Sequence, residues 1–259
     1  PPLKNSELNQ PPVVAISVAA PAYNEEAGIE KVLLSWIEYL QNYPAINEFE
    51  IVICNDGSKD STGAILDRLA LQYPCLRPQH HATNYGAAAA LTTAIQNTRH
   101  PWVFLLDSDG QYAIDNLPRF SAAIEKNSLH AAIGVRQTKH DTAFARFGSA
   151  LSGQLCNLFH GTCYKDFNCA LKLVDGDVLR SVNLEARGLN YSGEISSKLL
   201  EMGILMAEVD QVEHLPRTSG RSSSQNFKAA WHRLLFVMYI GIRQFLIKQA
   251  VLKIKSPCQ

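Results

Sequence analysis

Val103-Phe104-Leu105-Leu106-Asp107-Ser108-Asp109-Gly110-Gln111 is where this chain declares its architecture. Four apolar residues without a polar interruption read as a strand buried on both faces. Asp-Ser-Asp-Gly is turn chemistry, so the strand ends at Asp107 and the chain bends there. The turn lets two carboxylates, one residue apart, face a single ion. Hard oxygen donors of this kind suit Mg²⁺ or Mn²⁺, which keep positions open for phosphate oxygens. A calcium-binding loop does not fit, because position twelve from Asp107 is Pro118 rather than Glu.

Outward from this strand the chain alternates. Toward the N-terminus, Val13–Ala20 is an apolar run closed by Pro21, and Glu25–Gln41 carries the helical stripe Ile29, Val32, Leu33, Trp36, Ile37 and Leu40. Glu50–Cys54 reads as a second strand. Asp60-Ser61-Thr62 caps a helix to Gln72. Leu76–Gln79 is a short strand, and Asn84-Tyr85-Gly86 opens an Ala-rich helix to Asn97. Beyond the acidic turn come a helix over Leu117–Lys126 and a strand over Ala131–Val135. Repeated β-α units predict a mostly parallel sheet with helices on both faces. Ligands of such sheets gather beyond the C-terminal strand ends. Tyr23-Asn24-Glu25, Asn55-Asp56, Asn84, Asp107-Asp109 and Arg136 all fall there.

The second half is less regular. The pattern predicts a helix over Thr142–Phe159, a strand over Asn168–Leu173, a helix over Gly193–Met202, and short strands at Ile204–Ala207 and Gln211–His214. No Ser/Gly-rich linker divides it. The expected organisation is a flexible leader over 1–12, one catalytic domain over 13–224, and an apolar, basic helical segment over 225–259. Between Arg233 and Arg243 the uncharged stretch is far short of the roughly 20 residues a spanning helix needs. A pair of interfacial helices over 226–252, lying on a membrane surface with cations toward anionic lipid, is one reading. Packing on the domain, or on a second subunit of a homo-oligomer, is the other.

Of 259 residues, 24 are Lys or Arg and 24 Asp or Glu, a balance that argues against a nucleic-acid coat. Six scattered cysteines without a C-x-x-C pair read as reduced thiols of a cytoplasmic protein. The histidines show no zinc-ligand spacing. The serine-hydrolase elbow, the P-loop and the dinucleotide fingerprint are missing too. Two cationic groups remain. Arg136 and Arg146 suit a phosphate slot. Arg217, Gly220, Arg221 and Ser222 suit a lid over a diphosphate. Asp56, at the second strand's end, suits hydrogen bonds to a nucleobase or ribose.

Pro21–Glu26, Asn55–Thr62, Asn84–Gly86, Asp107–Gln111, Arg136, Arg146 with Ser149, Asp166–Lys172, Glu194 and Arg217–Ser222, in this order, resemble glycosyltransferase family 2 and its GT-A nucleotide-diphospho-sugar fold. The nearest branch is that of dolichol-phosphate mannose synthase-like and polyprenyl-phosphate glycosyltransferases. The resemblance implies that Pro21, Tyr23, Glu25, Asn55 and Asp56 hold the nucleotide. It implies that Asp107, Asp109 and Gln111 hold Mg²⁺ or Mn²⁺, that Arg136, Arg146 and Ser149 seat an acceptor phosphate, and that Arg217 touches the donor diphosphate. Asn55, Ala170 and Ser223 stand where members often have Asp, Gly and Lys.

The expected reaction is inverting, metal-dependent transfer from a nucleotide-diphosphate sugar to a polyprenyl phosphate. It would run on a protein peripheral to the cytoplasmic face of a membrane. A phosphate acceptor is already ionised, so the arginines need only position it. A hydroxyl acceptor, on a glycan or glycolipid, would need a carboxylate base, for which Asp166 and Glu194 are the candidates. Nucleotidyl transfer on a similar sheet lacks its glycine-rich, arginine-bearing first loop. A non-catalytic nucleotide-sugar-binding subunit leaves the intact Asp107 and Asp109 without purpose.

Overall fold

The computed structural model describes residues 13–137, 143–185, 190–215 and 235–247. The first half follows the alternation: β1 (Ala15–Ala22), α1 (Ile29–Asn42), β2 (Glu48–Asn55), α2 (Thr62–Gln72), β3 (Leu76–His80), α3 (Ala87–Gln96) and β4 (Trp102–Leu105). A 3₁₀ turn (Ile114–Asn116), α4 (Leu117–Asn127) and β5 (Ala131–Arg136) come next. The second half holds α5 (Ala143–His160), β6 (Lys172–Asp175), α6 (Gly176–Arg180), α7 (Tyr191–Glu201), β7 (Ala207–Val212) and a helix over 235–247.

Seven strands form one sheet in the order β3-β2-β1-β4-β6-β5-β7. All ladders are parallel except the two that β6 makes with β4 and β5. α1 packs on α2, and α3 packs across β1 and β2; the right-handed rule for such crossovers puts the two groups on opposite faces of the sheet. Trp102, Val103 and Phe104 are fully buried, as an unbroken apolar strand between two helical layers must be.

Two features of this topology place the site. The chain winds from β1 toward β2 on one side and returns to β4 on the other, so strand order reverses between β1 and β4. The loops after these strands therefore flank a crevice at the switch point. Pro21 tolerates its place inside β1 because its nitrogen faces the β4 side, where pairing has already stopped at Ala19↔Leu105. In addition, β6 runs backward, pairing its first residue, Lys172, with Leu105 and Ile133. The turn that precedes β6 thus lies at the same rim as Asp107 and Arg136.

Several expected elements differ. The predicted strand over Asn168–Leu173 is a turn through residue 168, closed by the Cys169 amide donating to the Asp166 carbonyl at 3.1 Å, and the strand starts only at Lys172. The predicted pair of strands at Ile204–Ala207 and Gln211–His214 is the single edge strand β7. A bulge at Asp210-Gln211, with Gln211 at φ 54°, made the pattern look broken. Arg119 holds that bulge through the Asp210 and Gln211 carbonyls. α1 starts four residues later than expected, because the Glu25 carbonyl accepts from Gly28 and Ile29 and closes a turn there. α6 is too short for periodicity to reveal; Asp175 caps it by accepting from the Asp177 and Val178 amides.

The 235–247 helix buries Val237 and Ile240 against Cys156 of α5 and Phe167. At Gly241 an added Cβ would come within 2.7 Å of the Phe159 ring, so glycine permits the close approach to α5. The opposite side exposes Leu235, Met238, Ile242, Phe245 and Leu246, spaced at helical intervals. No helix among the described residues is long and apolar enough to cross a membrane. The remainder of 226–252 lies outside the described residues.

Candidate active site

On the β1–β2 side, two loops clasp one another. The Asn24 amide donates to Ser58 Oγ at 2.9 Å, and the Lys59 amide donates back to Asn24 Oδ1 at 2.9 Å. The Glu25 amide donates to Thr62 Oγ1. The Glu26 amide donates to Asp60 Oδ2, and the Ser61 amide returns to Glu26 Oε2. Asp60, rather than Ser61, caps α2: its Oδ1 accepts from the Thr62 amide and hydroxyl. Burial would raise the Asp60 pKa, but these hydrogen bonds outweigh it and hold the carboxyl below its ordinary value. Tyr23 projects from the clasp, 41% exposed, while Pro21 is half-buried and Glu25 buried.

Asp56 lies buried beneath this clasp. Its Oδ1 accepts from the Tyr85 amide at 2.9 Å and meets His81 Nδ1 at 2.8 Å; its Oδ2 accepts from the Gly86 amide at 2.7 Å. The carboxylate expected to meet a nucleobase thus holds the 84–86 turn that opens α3. Gly57, at φ 65°, lets that turn approach: an added Cβ would lie 2.4 Å from the Thr83 carbonyl carbon. Asn55 uses both ends of its amide, Oδ1 for the Ser58 amide and Nδ2 for His80 Nδ1.

Across the crevice, Ser108 is buried and donates to the Pro21 carbonyl at 2.6 Å. This bond pins the acidic turn to the end of β1 and leaves Asp107 and Asp109 half-buried at the rim. Asp109 Oδ1 accepts from the Gln111 amide at 3.0 Å, and Gly110 takes φ 74° to complete the bend. Gln111 Nε2 donates to the Leu215 carbonyl, while the Leu215 amide donates to the Gln111 carbonyl. Asp107 Oδ1 accepts from the Tyr191 hydroxyl at 2.6 Å. Burial, then the charges of Asp107 and Asp109, push the Tyr191 pKa well up, so the phenol keeps its proton. Among the described residues no three His, Cys, Asp or Glu side chains form a metal cage. Two carboxylates and an amide oxygen at an open rim are instead a donor set that fits Mg²⁺ or Mn²⁺ sharing its remaining positions with phosphate.

The β5–β6 side is built from buried charge. Arg136 Nε and Nη2 donate to the two oxygens of Asp166 at 2.7 and 2.9 Å, a bidentate pair with side chains 10% and 4% exposed. Burial pulls the Arg136 pKa down, but the bonds to Asp166 and the surrounding acidic groups raise it overall, so the guanidinium stays charged. Arg146 is exposed and Ser149 half-buried on α5, and the Ser149 carbonyl accepts from Asn168 Nδ2, tying α5 to the Asp166 turn. Glu194 is buried on α7, accepting from the Glu185 amide at 2.7 Å and pairing with Lys198 at 3.0 Å. Arg217 lies outside the described residues.

Tyr191 and His81 were not singled out by sequence, and Lys172 entered only as the end of the Asp166–Lys172 segment, with no role of its own. Lys172 is fully buried; its ammonium donates to the Cys169 carbonyl and to Ser192 Oγ at 2.9 Å. Burial lowers its pKa to about 8, against the partly compensating charges of Cys169, Asp166 and Asp107. A lone cation inside Leu171–Val174 was the available signal. No spacing rule points to Tyr191, which meets Asp107 only through the fold.

Residues 17–179 match the family model described as glycosyl transferase family 2. A dolichyl-phosphate beta-glucosyltransferase of Trichomonas vaginalis is 30% identical over 199 residues, covering 69% of this chain and 61% of that protein. An undecaprenyl-phosphate 4-deoxy-4-formamido-L-arabinose transferase of Shewanella sediminis is 26% identical over 216 residues, covering 80% of this chain and 61% of that one. The chain thus spans about three-fifths of the length of these two relatives. Among solved structures, glucosyl-3-phosphoglycerate synthase from Mycobacterium tuberculosis, in complex with Mn²⁺, uridine diphosphate and phosphoglyceric acid, superposes with a TM-score of 0.66. It is 16% identical and covers 88% of this chain and 79% of its own. Mannosyl-3-phosphoglycerate synthase from Rubrobacter xylanophilus gives 0.67 at 16% identity, covering 86% and 73%. At such identities the likeness is one of fold, that of GT-A glycosyltransferases.

Proposed function

This chain belongs to glycosyl transferase family 2, and from that membership we propose that it transfers a sugar from a nucleotide-diphosphate donor to a polyprenyl phosphate, inverting the anomeric carbon. The donor lies across the β1/β4 switch point. Tyr23, Pro21 and Glu25 meet its nucleoside beside Asn55, over a floor that Asp56 keeps in shape. Asp107 and Asp109, with the Gln111 amide oxygen, would hold Mg²⁺ or Mn²⁺. Once bound, the cation supplies charge neutralisation for the departing diphosphate. Arg217 adds a further positive charge to that group.

A phosphate oxygen of the acceptor attacks the anomeric carbon from the face opposite the diphosphate. The new C–O bond forms as the old one breaks, and the nucleoside diphosphate leaves with the bonding electrons. The observation that carries the choice of acceptor is the state of the two base candidates. Asp166 accepts both forks of Arg136, and Glu194 accepts from Lys198 and the Glu185 amide. Both carboxylates are thus already engaged by partners within the fold, whereas an ionised phosphate needs no base. The positive charge of Arg136, with Arg146 and Ser149 on α5, would draw the acceptor phosphate. The exposed apolar side of the 235–247 helix would lie in the lipid headgroup region, presenting the site to an acceptor carried in the same membrane. Two of the curated relatives are named for dolichyl and undecaprenyl phosphate, which supports the same acceptor class.

A panel of uridine- and guanosine-diphosphate sugars tests the reading, followed by nucleotide release with Mn²⁺ and with polyprenyl phosphate added or omitted. Release that depends on the lipid phosphate is the expected result. Release driven equally by neutral sugar or glycolipid hydroxyls would replace the proposed acceptor.

A further inference from the structure

Asp107 is held from behind by a residue of another element. Tyr191 is the first residue of α7, 84 positions along the chain, and its side chain is buried. A phenol has one hydrogen and a carboxylate has none to give, so the 2.6 Å contact is Tyr191 donating to Asp107 Oδ1. Hydrogen bonds to an ionised acceptor are short and strong, as this one is.

The helix start that carries Tyr191 is itself anchored. Ser192 Oγ accepts from the buried Lys172 ammonium at 2.9 Å and donates to the Cys169 carbonyl at 2.7 Å. Next to it, Gly193 allows contact with Asn168: an added Cβ would sit 2.5 Å from Asn168 Oδ1. Lys172 belongs to β6 and is register partner of Leu105, two residues before Asp107. Strand, turn and helix thus form a closed circuit: Leu105 to Lys172 by the ladder, Lys172 to Ser192 by the ammonium, and Tyr191 back to Asp107 by the phenol. Such a circuit fixes the direction of the carboxylate, which a turn of Asp, Ser and Gly alone would leave free to rotate.

We propose that Tyr191 is a positioning residue for the cation site, its hydroxyl orienting Asp107 for metal, with Lys172 and Ser192 keeping α7 in place for that contact. The inference rests on the metal reading of Asp107 and Asp109 given above. Outer-shell partners of this kind are worth about 10- to 100-fold in metal affinity.

Mn²⁺ binding to the full chain, followed by the loss of the free-ion electron paramagnetic resonance signal with and without uridine diphosphate, tests it independently of turnover. Tyr191→Phe removes one oxygen and keeps the ring, and should weaken Mn²⁺ roughly 10-fold or more while far-UV circular dichroism stays native. Tyr112→Phe is the control. That hydroxyl is equally buried but contacts Cys169 Sγ at 3.8 Å, and its loss should leave Mn²⁺ affinity unchanged. Should Tyr191→Phe lose its native dichroism, Ser192→Ala, which keeps the phenol, takes its place and should give a smaller loss of affinity. Native affinity in Tyr191→Phe overturns the positioning role alone. If the unaltered chain takes up no more Mn²⁺ than Asp109→Ala, the metal reading falls, and the positioning role with it.

Discussion

The two walls of the crevice are stabilised by different physics. On the β1–β2 wall, loops are held by short side chains bonding to backbone amides: Asn24 with Lys59, Glu26 with Ser61, Asp60 with Thr62, Asp56 with Tyr85 and Gly86. On the β5–β6 wall, order comes from buried charges facing one another: Arg136 with Asp166, Lys198 with Glu194, and Lys172 among carbonyl and hydroxyl oxygens. Backbone clasps fix a shape by sharing each carboxylate among several amide donors. Buried ion pairs are sensitive to the loss of one partner, because desolvated charge has no substitute solvent. The first wall suits a nucleoside, recognised by shape and hydrogen bonds. The second suits a phosphate, recognised by charge.

Removing one partner on the charged wall should have the largest effect. Asp166→Ala leaves Arg136 buried without its fork and should cost about 3–5 kcal/mol in urea unfolding. The double change Arg136→Met with Asp166→Leu should recover most of that. A single-variant loss below about 1 kcal/mol would erase the contrast between the walls.

Asp56→Ala attacks the strongest clasp. Three donors lose their acceptor, and the expected loss is about 3 kcal/mol. It should come with faster amide exchange at Tyr85 and Gly86. Exchange unchanged there would mean that the 84–86 turn does not depend on Asp56.

Lys172 sharpens the comparison through pH. Its folded pKa of about 8 lies below the ordinary 10.5, so between these values the unfolded chain holds more protons and stability gains as pH rises. Buried thiols such as Cys54 and Cys156, pushed up to about 12, act in the opposite direction. The informative quantity is therefore the stability of the native chain minus that of Lys172→Met. It should rise by about 2 kcal/mol from pH 8 to 10, and a flat difference would place the ammonium in a solvated setting.

The smallest change belongs to the exposed part of the clasp. Ser58→Ala removes one bond, from the Asn24 amide, which water can replace, and should cost less than about 1 kcal/mol. A larger loss would show the clasp to be cooperative.

The clasped wall was also the more legible one in sequence. Strand, turn and helix follow in order there, and the polar clusters after β1, β2 and β4 mark one rim, because parallel strands bring their C-terminal ends together. Asp56 was read for its position, but its hold on two amides 29 and 30 residues away was not, because no local pattern encodes it. The second wall hid more. β6 runs backward from a turn, and β7 carries a bulge that breaks the two-residue period. Tyr191 and Lys172 matter through contacts across three elements, which no local pattern encodes. Arg136 and Asp166 were both found by sequence as candidates with separate tasks; the fold joins them in one pair.

In the proposed reaction the Asp107–Asp109 rim works through a divalent cation. The direct measurement is nucleotide-sugar turnover by chelator-treated protein as Mn²⁺ is returned, for the native chain and for Asp109→Ala. Activity that vanishes on chelation and returns only in the native chain is the predicted result. Full turnover by the chelated protein, or by Asp109→Ala, would contradict it.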